Sequence, residues 1–238
     1  MNKKKVSIFT LGVTSLALIA GISVHGVLNN KVNDIVENNI SSVESSIDED
    51  KQYVINKTND ADLLIDFSKM ENILKESDLV AIVKVDNATG SNYNPVRKEY
   101  VPIYTTGTLS VERVVKNINI TEIQEGNSVE YVRLGGNIKY SEYLKGLTET
   151  ERTKIESLVN SNEKLKDANA KDNIVINDKF MEDIEIEEGK EYVVFLKYVS
   201  DYDKYNIVGF EHGLREYDSS NNLMKNNSTN EFESLDII

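Results

Sequence analysis

"EEGKEYVVFLKY", Glu187 to Tyr198, is the stretch on which the fold turns. Glu188-Gly189-Lys190 reads as a turn, and Tyr192 to Tyr198 follows as the strongest strand signal in the chain. Side chains alternate across a strand, so Tyr192, Val194, Leu196 and Tyr198 face one way and Val193, Phe195 and Lys197 the other. Both faces are largely apolar. Such a strand is expected to be buried on both sides, as a stave of a small barrel whose outer surface is covered.

Related signals lie on either side. Ser68 and Glu71 make a capping-box pattern, which predicts a short helix with Met70, Ile73 and Leu74 inward, ended by Ser77-Asp78. Leu79 to Val85 then reads as a strand. Tyr104 to Val115 predicts a long strand with Gly107 as a bend, and Val129 to Leu134 another, broken by Gly135-Gly136. Thr148 and Glu151 form a second capping box, predicting a helix from about Glu149 to Lys166 with Ile155, Leu158, Val159 and Leu165 as its stripe. Asn173 to Ile176 reads as a short strand. Tyr205 to Phe210 and Gly213 to Asp218 read as two more strands, followed by the turn "DSSNN".

The expected fold is mainly β (α+β). It is a small antiparallel OB-like β-barrel of about five to six strands, with a helix before the first strand and an inserted helix. The expected organisation is a signal peptide or transmembrane anchor over 1–28 and a polar tether over 29–60. The barrel domain follows over 61–224 with a helical insertion at about 140–173, and the chain ends in a flexible tail over 225–238. Within the tether, Val32, Val36, Ile40, Val43 and Ile47 recur at helical spacing, but the Asn- and Ser-rich composition favours a flexible segment with transient helix.

The order of these parts resembles a known group. A helix runs into "ESDLVAIVKV"; then come "YTTGTLSVERVVKN", "GNSVEYVRLGG", "IEEGKEYVVFLKY" and "YNIVGFEHGLREYD". Over Phe67 to Asp218 this is similar to exported proteins of low-GC Gram-positive bacteria. More distantly it resembles the OB-type barrel of tissue inhibitors of metalloproteinases and netrin-like modules. The resemblance implies the barrel and export. The inhibitory activity does not carry over: that family uses an N-terminal cysteine and disulfides, and this chain has no cysteine.

Export is also legible directly. Lys3, Lys4 and Lys5 precede an uncharged run from Val6 to Leu28 in which His25 is the single titratable residue. A basic start and an apolar run mark an export segment, long enough to span a bilayer if it is retained. The expected location is therefore outside the cytoplasm, anchored in the cell membrane or secreted after cleavage; the sequence leaves both open.

With 27 basic and 40 acidic residues the net charge is −13. Such a surface repels phosphate backbones, so no nucleic acid is expected as a partner, and membrane contact is confined to the N-terminal segment. The absence of cysteine excludes disulfides and thiol chemistry. Beyond the export segment His212 is the sole histidine, and one histidine beside Glu211 is no triad. No catalytic, cofactor-binding or metal-binding constellation is found, so no enzyme activity, cofactor or metal is expected. Calcium could use only oxygen ligands, and "SDYDKYN" and "SIDED" lack the EF-hand spacing.

What remains is tyrosine, 12 in all with no tryptophan. Tyr192, Tyr198, Tyr202 and Tyr205 cluster in sequence around one hairpin, and with His212 they form the candidate ligand face. The expected function is a non-catalytic binding module of the cell envelope whose partner is an envelope protein, peptide or glycan. The alternatives are a carboxylate- or calcium-dependent hydrolase, and a structural envelope protein self-associating through its stalk.

Overall fold

The computed structural model describes residues 22–23, 40–45, 53–59, 62–118, 122–162, 165, 171–180 and 183–238. The fold is mainly β. Almost all of the N-terminal segment lies outside the described residues; a two-residue strand, β1 (Ile22–Ser23), pairs antiparallel with β4 (Asp62–Leu63). Among the described residues no helix is long and apolar enough to cross a membrane.

Two larger sheets carry the molecule. The first has eight strands: β5 (Leu79–Asn94), β6 (Glu99–Asn117), β7 (Ser128–Leu134), β10 (Glu191–Val199), β11 (Lys204–Ile207), β12 (Leu214–Asp218), β13 (Leu223–Asn226) and β14 (Glu231–Ser234). It is partly ring-like. Pairing runs β10-β5-β6-β7-β11 and returns from β11 to β10. One edge of β10 follows β5 from Glu191 to Leu196; the other is shared, with Tyr192 to Val194 on β12 and Leu196 to Val199 on β11. The sequence predicts antiparallel pairing throughout, but β11 lies parallel to β7, with Tyr205 opposite Tyr131. The 3-10 turn Phe210–His212 then carries the chain to β12.

The opening strand is buried on both faces. Tyr192, Val194 and Leu196 join Leu79, Val83 and Leu109 inside the ring. Val193 and Phe195 face outward into a second core with Phe67, Val208 and Met224, roofed by Ile73 of helix α1 (Met70–Glu76). Arg215, only 1% exposed, closes this outer core with its guanidinium over the Phe195 ring, 5.5 Å from the centroid. Burial pushes its pKa down, opposed by Glu233 at 3.4 Å.

The second sheet has four strands in the order β2 (Ile40–Ser45), β3 (Tyr53–Asn59), β9 (Ile174–Phe180) and β8 (Gly136–Lys139). Two of these replace the tether expected over 29–60. The alternating "YVINKTN" carries three β-branched residues and pairs parallel with β9 along its whole length, while Ile40 and Val43 of the helically spaced set lie in β2. Helix α2 (Tyr140–Tyr143) and helix α3 (Glu149–Ser161) pack with this sheet through Tyr140, Ile155 and Val159, so both belong to a second layer. The Thr148–Glu151 capping box forms as the sequence predicts, and α3 ends at Ser161, five residues short of Lys166. The Ser68–Glu71 box does not form: Ser68 instead donates to Asp66 Oδ1 at 2.5 Å, and Lys69 is the N-cap.

The tail is also not loose. β13 and β14 pair antiparallel, and Met224 and Leu235 are buried beneath the outer face of β10. Leu235 and Ile238 of the apolar end supply part of that roof, which is why the segment orders.

Candidate functional site

Two concave regions follow from how the sheets meet. At Gly135-Gly136 the chain leaves β7 in the first sheet and enters β8 in the second. Gly135 has φ +80° and Gly136 φ +134°, and a Cβ on Gly136 would lie 2.0 Å from Thr105 Oγ1, so both positions require glycine. Thr105 Oγ1 donates to Gly135 O at 2.8 Å and pins the crossing. Across the seam, Gly90 of β5 lets the backbone of Asn137 approach; a Cβ there would sit 1.8 Å from Asn137 O.

The seam forms a partly open cleft of about 180 Å³ with a mixed lining, in which Arg133, Asp178 and Asp183 stand beside Leu134, Ile184 and Ile186. Residues two apart along a strand share a face, and on β9 the face that carries Ile174 and Ile176 continues into Asp178. On β3 the partners are Tyr53, Ile55 and then Lys57. One face is therefore apolar at one end and ionic at the other. Lys57 Nζ lies 3.4 Å from Asp178, which also accepts from Asn59 Nδ2. Burial raises the Asp178 pKa, opposed by Lys57. Arg133 and Asp183 form a second buried ion pair there, and burial raises the Asp183 carboxyl against the pull of Arg133. The first pair joins β3 to β9 within the second sheet, and the second ties β7 of the first sheet to the segment that follows β9.

The second region lies at the end of the β5–β6 hairpin. Asn94 Oδ1 accepts from the N–H groups of Val96 and Arg97, at 2.9 and 3.0 Å, and closes the turn around Pro95. The turn places Tyr93 directly opposite Tyr100, and the rings meet edge to face with centroids 5.3 Å apart. They are 41% and 46% exposed. Below them Tyr104 donates to Tyr93 O at 2.6 Å and packs edge-on against buried Tyr202, with centroids 5.4 Å apart. Arg97 reaches Asp201 at 2.7 Å, tying the hairpin tip to the β10–β11 turn. Beyond that turn Tyr198 and Tyr205 form another edge-to-face pair at 5.6 Å, with Tyr198 Oη donating to Asp203 Oδ1 at 2.5 Å. This hydrogen bond is the main cause of the raised Tyr198 pKa, and burial is the main cause for Tyr205.

The five candidate residues are thus only partly brought together. Tyr198 and Tyr205 share a surface; Tyr202 is buried beneath the same end of the ring. Tyr192 is core, its Oη accepting from the Glu187 N–H at 3.3 Å. His212 belongs to the 3-10 turn after β11, where Nε2 lies 3.1 Å from Glu211 and Nδ1 3.3 Å from Ser228 Oγ. Sequence reasoning missed Tyr93 and Tyr100. The usable signal is their symmetric placement about Val96-Arg97 in "NYNPVRKEY", which puts them in register once the segment is folded as a hairpin. Among the described residues no group of three or more His, Cys, Asp or Glu is placed to hold a metal ion. Comparison with known proteins finds no family model that matches this chain, and no curated protein matches it.

Proposed function

We propose that this chain is a non-catalytic binding module of the cell envelope, built on an OB-like barrel and working outside the cytoplasm, with its N-terminal segment serving as export signal or anchor. The barrel reading is supported by the five-strand ring of pairings β10-β5-β6-β7-β11, and by α3 lying between its third and fourth strands in chain order. Binding at the hairpin end is supported by a single observation: two tyrosine pairs are held at the surface by cross-strand register and by a locked turn, before any partner arrives. Exposed aromatic rings on a rigid frame offer contact area at low entropic cost. In OB-like rings the loops at this end, here 94–99 and 200–203, are the usual ligand-contacting ones. The partner is an envelope protein, peptide or glycan. Export is supported by Lys3 to Lys5 followed by the uncharged run to Leu28.

The test has two arms. Protease added to intact cells should degrade the folded domain, and an envelope extract should yield a ligand that the wild-type chain retains and a Tyr93→Ala/Tyr100→Ala/Tyr198→Ala chain does not. Protection of the domain inside the cytoplasm, or recovery of nothing above control, would sink the proposal.

A further inference from the structure

We propose that the ligand at the hairpin end is a neutral oligosaccharide, seated in the cleft between the Tyr93–Tyr100 pair and helix α2; this rests on the binding-module reading. The cleft has a volume of about 350 Å³, within the range of about 300–1,000 Å³ usual for small-ligand sites. Its wall is aromatic: a pyranose presents a face of C–H groups that packs on a tyrosine ring, and both rings are exposed for it.

The ring of Tyr100 is fixed from behind. A Cβ on Gly146 would lie 3.0 Å from Tyr100 Cδ1 and 2.6 Å from Asn92 Nδ2, so glycine here lets the ring and the amide close against the turn after α2. Asn92, 6% exposed, donates from Nδ2 to Tyr143 O at 3.3 Å and holds α2 in place.

The polar rim selects the ligand class. Glu142 and Lys145 lie together at 2.7 Å on the opposite side, both more than half exposed. A sugar hydroxyl donates one hydrogen bond and accepts others; Lys145 Nζ already donates to both Glu142 oxygens, which leaves one ammonium N–H and the outer carboxylate lone pairs side by side for it. Because the two charges cancel, the rim favours neither an anion nor a cation. The net charge of −13 further disfavours acidic polysaccharides and nucleic acids. A peptide would need deep apolar pockets for side-chain anchors; Ile138 is the one aliphatic residue larger than glycine in the cleft lining.

The experiment uses the full-length chain in a non-sugar detergent, titrated with cellohexaose, maltohexaose and a β-1,4-linked N-acetylglucosamine hexamer. Binding is read by saturation-transfer NMR and by tyrosine emission, which is uncomplicated because the chain has no tryptophan. At least one sugar should bind, with Tyr100→Ala weakening it tenfold or more. Gly146→Val should weaken it similarly by displacing the ring, and Phe232→Ala, an exposed aromatic on β14, should leave it unchanged. Folding of each variant is checked by its denaturation midpoint. Failure of all three sugars, or binding indifferent to Tyr100→Ala in a folded chain, overturns the inference. An unstructured peptide library run in parallel separates the two failures. Peptide binding that depends on Tyr100, with no sugar binding, overturns the glycan assignment and leaves the binding module standing; silence in both arms overturns the glycan assignment, and silence in the envelope-extract experiment as well overturns both.

Discussion

The ring and the second sheet solve the same problem differently. In the ring, β10 carries apolar residues on both faces, and each face meets its own core. In the second sheet, β3 and β9 share a face that is apolar around Ile55, Ile174 and Ile176 and turns ionic at Lys57 and Asp178. The ring is held by removal of apolar surface from water, which is tolerant of detail. The seam is held by close backbone approach and matched buried charge, which is not.

Phe195→Ala attacks the ring where both cores meet. It removes the outer-face anchor and the cation–π partner of Arg215, and should cost about 3–5 kcal/mol. That is a large share of a typical domain's total of about 5–15 kcal/mol. Chemical denaturation should show one cooperative transition at a much lower midpoint. A loss below about 1 kcal/mol would mean that the outer core is not load-sharing with the ring.

Asp183→Asn tests the seam. It leaves Arg133 buried beside a neutral partner, and about 3–5 kcal/mol is the usual cost of breaking such a pair. Arg133→Met/Asp183→Leu should lose far less, because no charge is stranded. If single and double changes cost the same, the pair contributes by packing alone. Gly90→Ala should come next, at about 1–3 kcal/mol, since its Cβ collides with the Asn137 backbone. Its effect should appear first in hydrogen exchange across β8 and β9, with β10 still protected.

A smaller effect has the opposite sign. Tyr140 is buried in the second-sheet core with no hydrogen-bond partner for its Oη among the described residues, so Tyr140→Phe should stabilise by about 1 kcal/mol. Burial pushes the Tyr140 and Tyr143 hydroxyls up to about 12. A folded-state pKa above the ordinary value near 10 means the contribution is complete below pH 10 and is lost as pH rises through about 12. Midpoints measured from pH 9 to 12 should therefore fall less steeply in Tyr140→Phe. Smallest of all, Tyr93→Ala should change stability by no more than about 0.5 kcal/mol, since its ring faces solvent.

How much could be read in advance follows the same division. The two-faced burial of Tyr192 to Leu196, the turn at Gly189 and the cap at Thr148 were all legible, because each is a local pattern of period or chemistry. The second sheet was not. Its β3 and β9 are a parallel pair separated by more than a hundred residues, and no local signal says that "YVINKTN" has a partner in "IVINDKF". Its polar seam residues look like ordinary solvated ones until Lys57 meets Asp178. The cleft is hidden for a related reason: the strand signal begins at Tyr104, which leaves Tyr93 and Tyr100 outside the hairpin that pairs them.

One consequence of the ring concerns the order of synthesis. β10, which contacts β5, β11 and β12, begins at Glu191, late in a chain of 238 residues. Until it emerges, β5 lacks the neighbour along Leu79 to Lys84 and the ring has no closing member. The contacts that close the ring on β5 are thus long-range in sequence, which slows folding and holds closure back until β10 has been made. Until then β5 presents an open edge along Leu79 to Lys84 to any other strand nearby, a pairing hazard that ends only when β10 is in place.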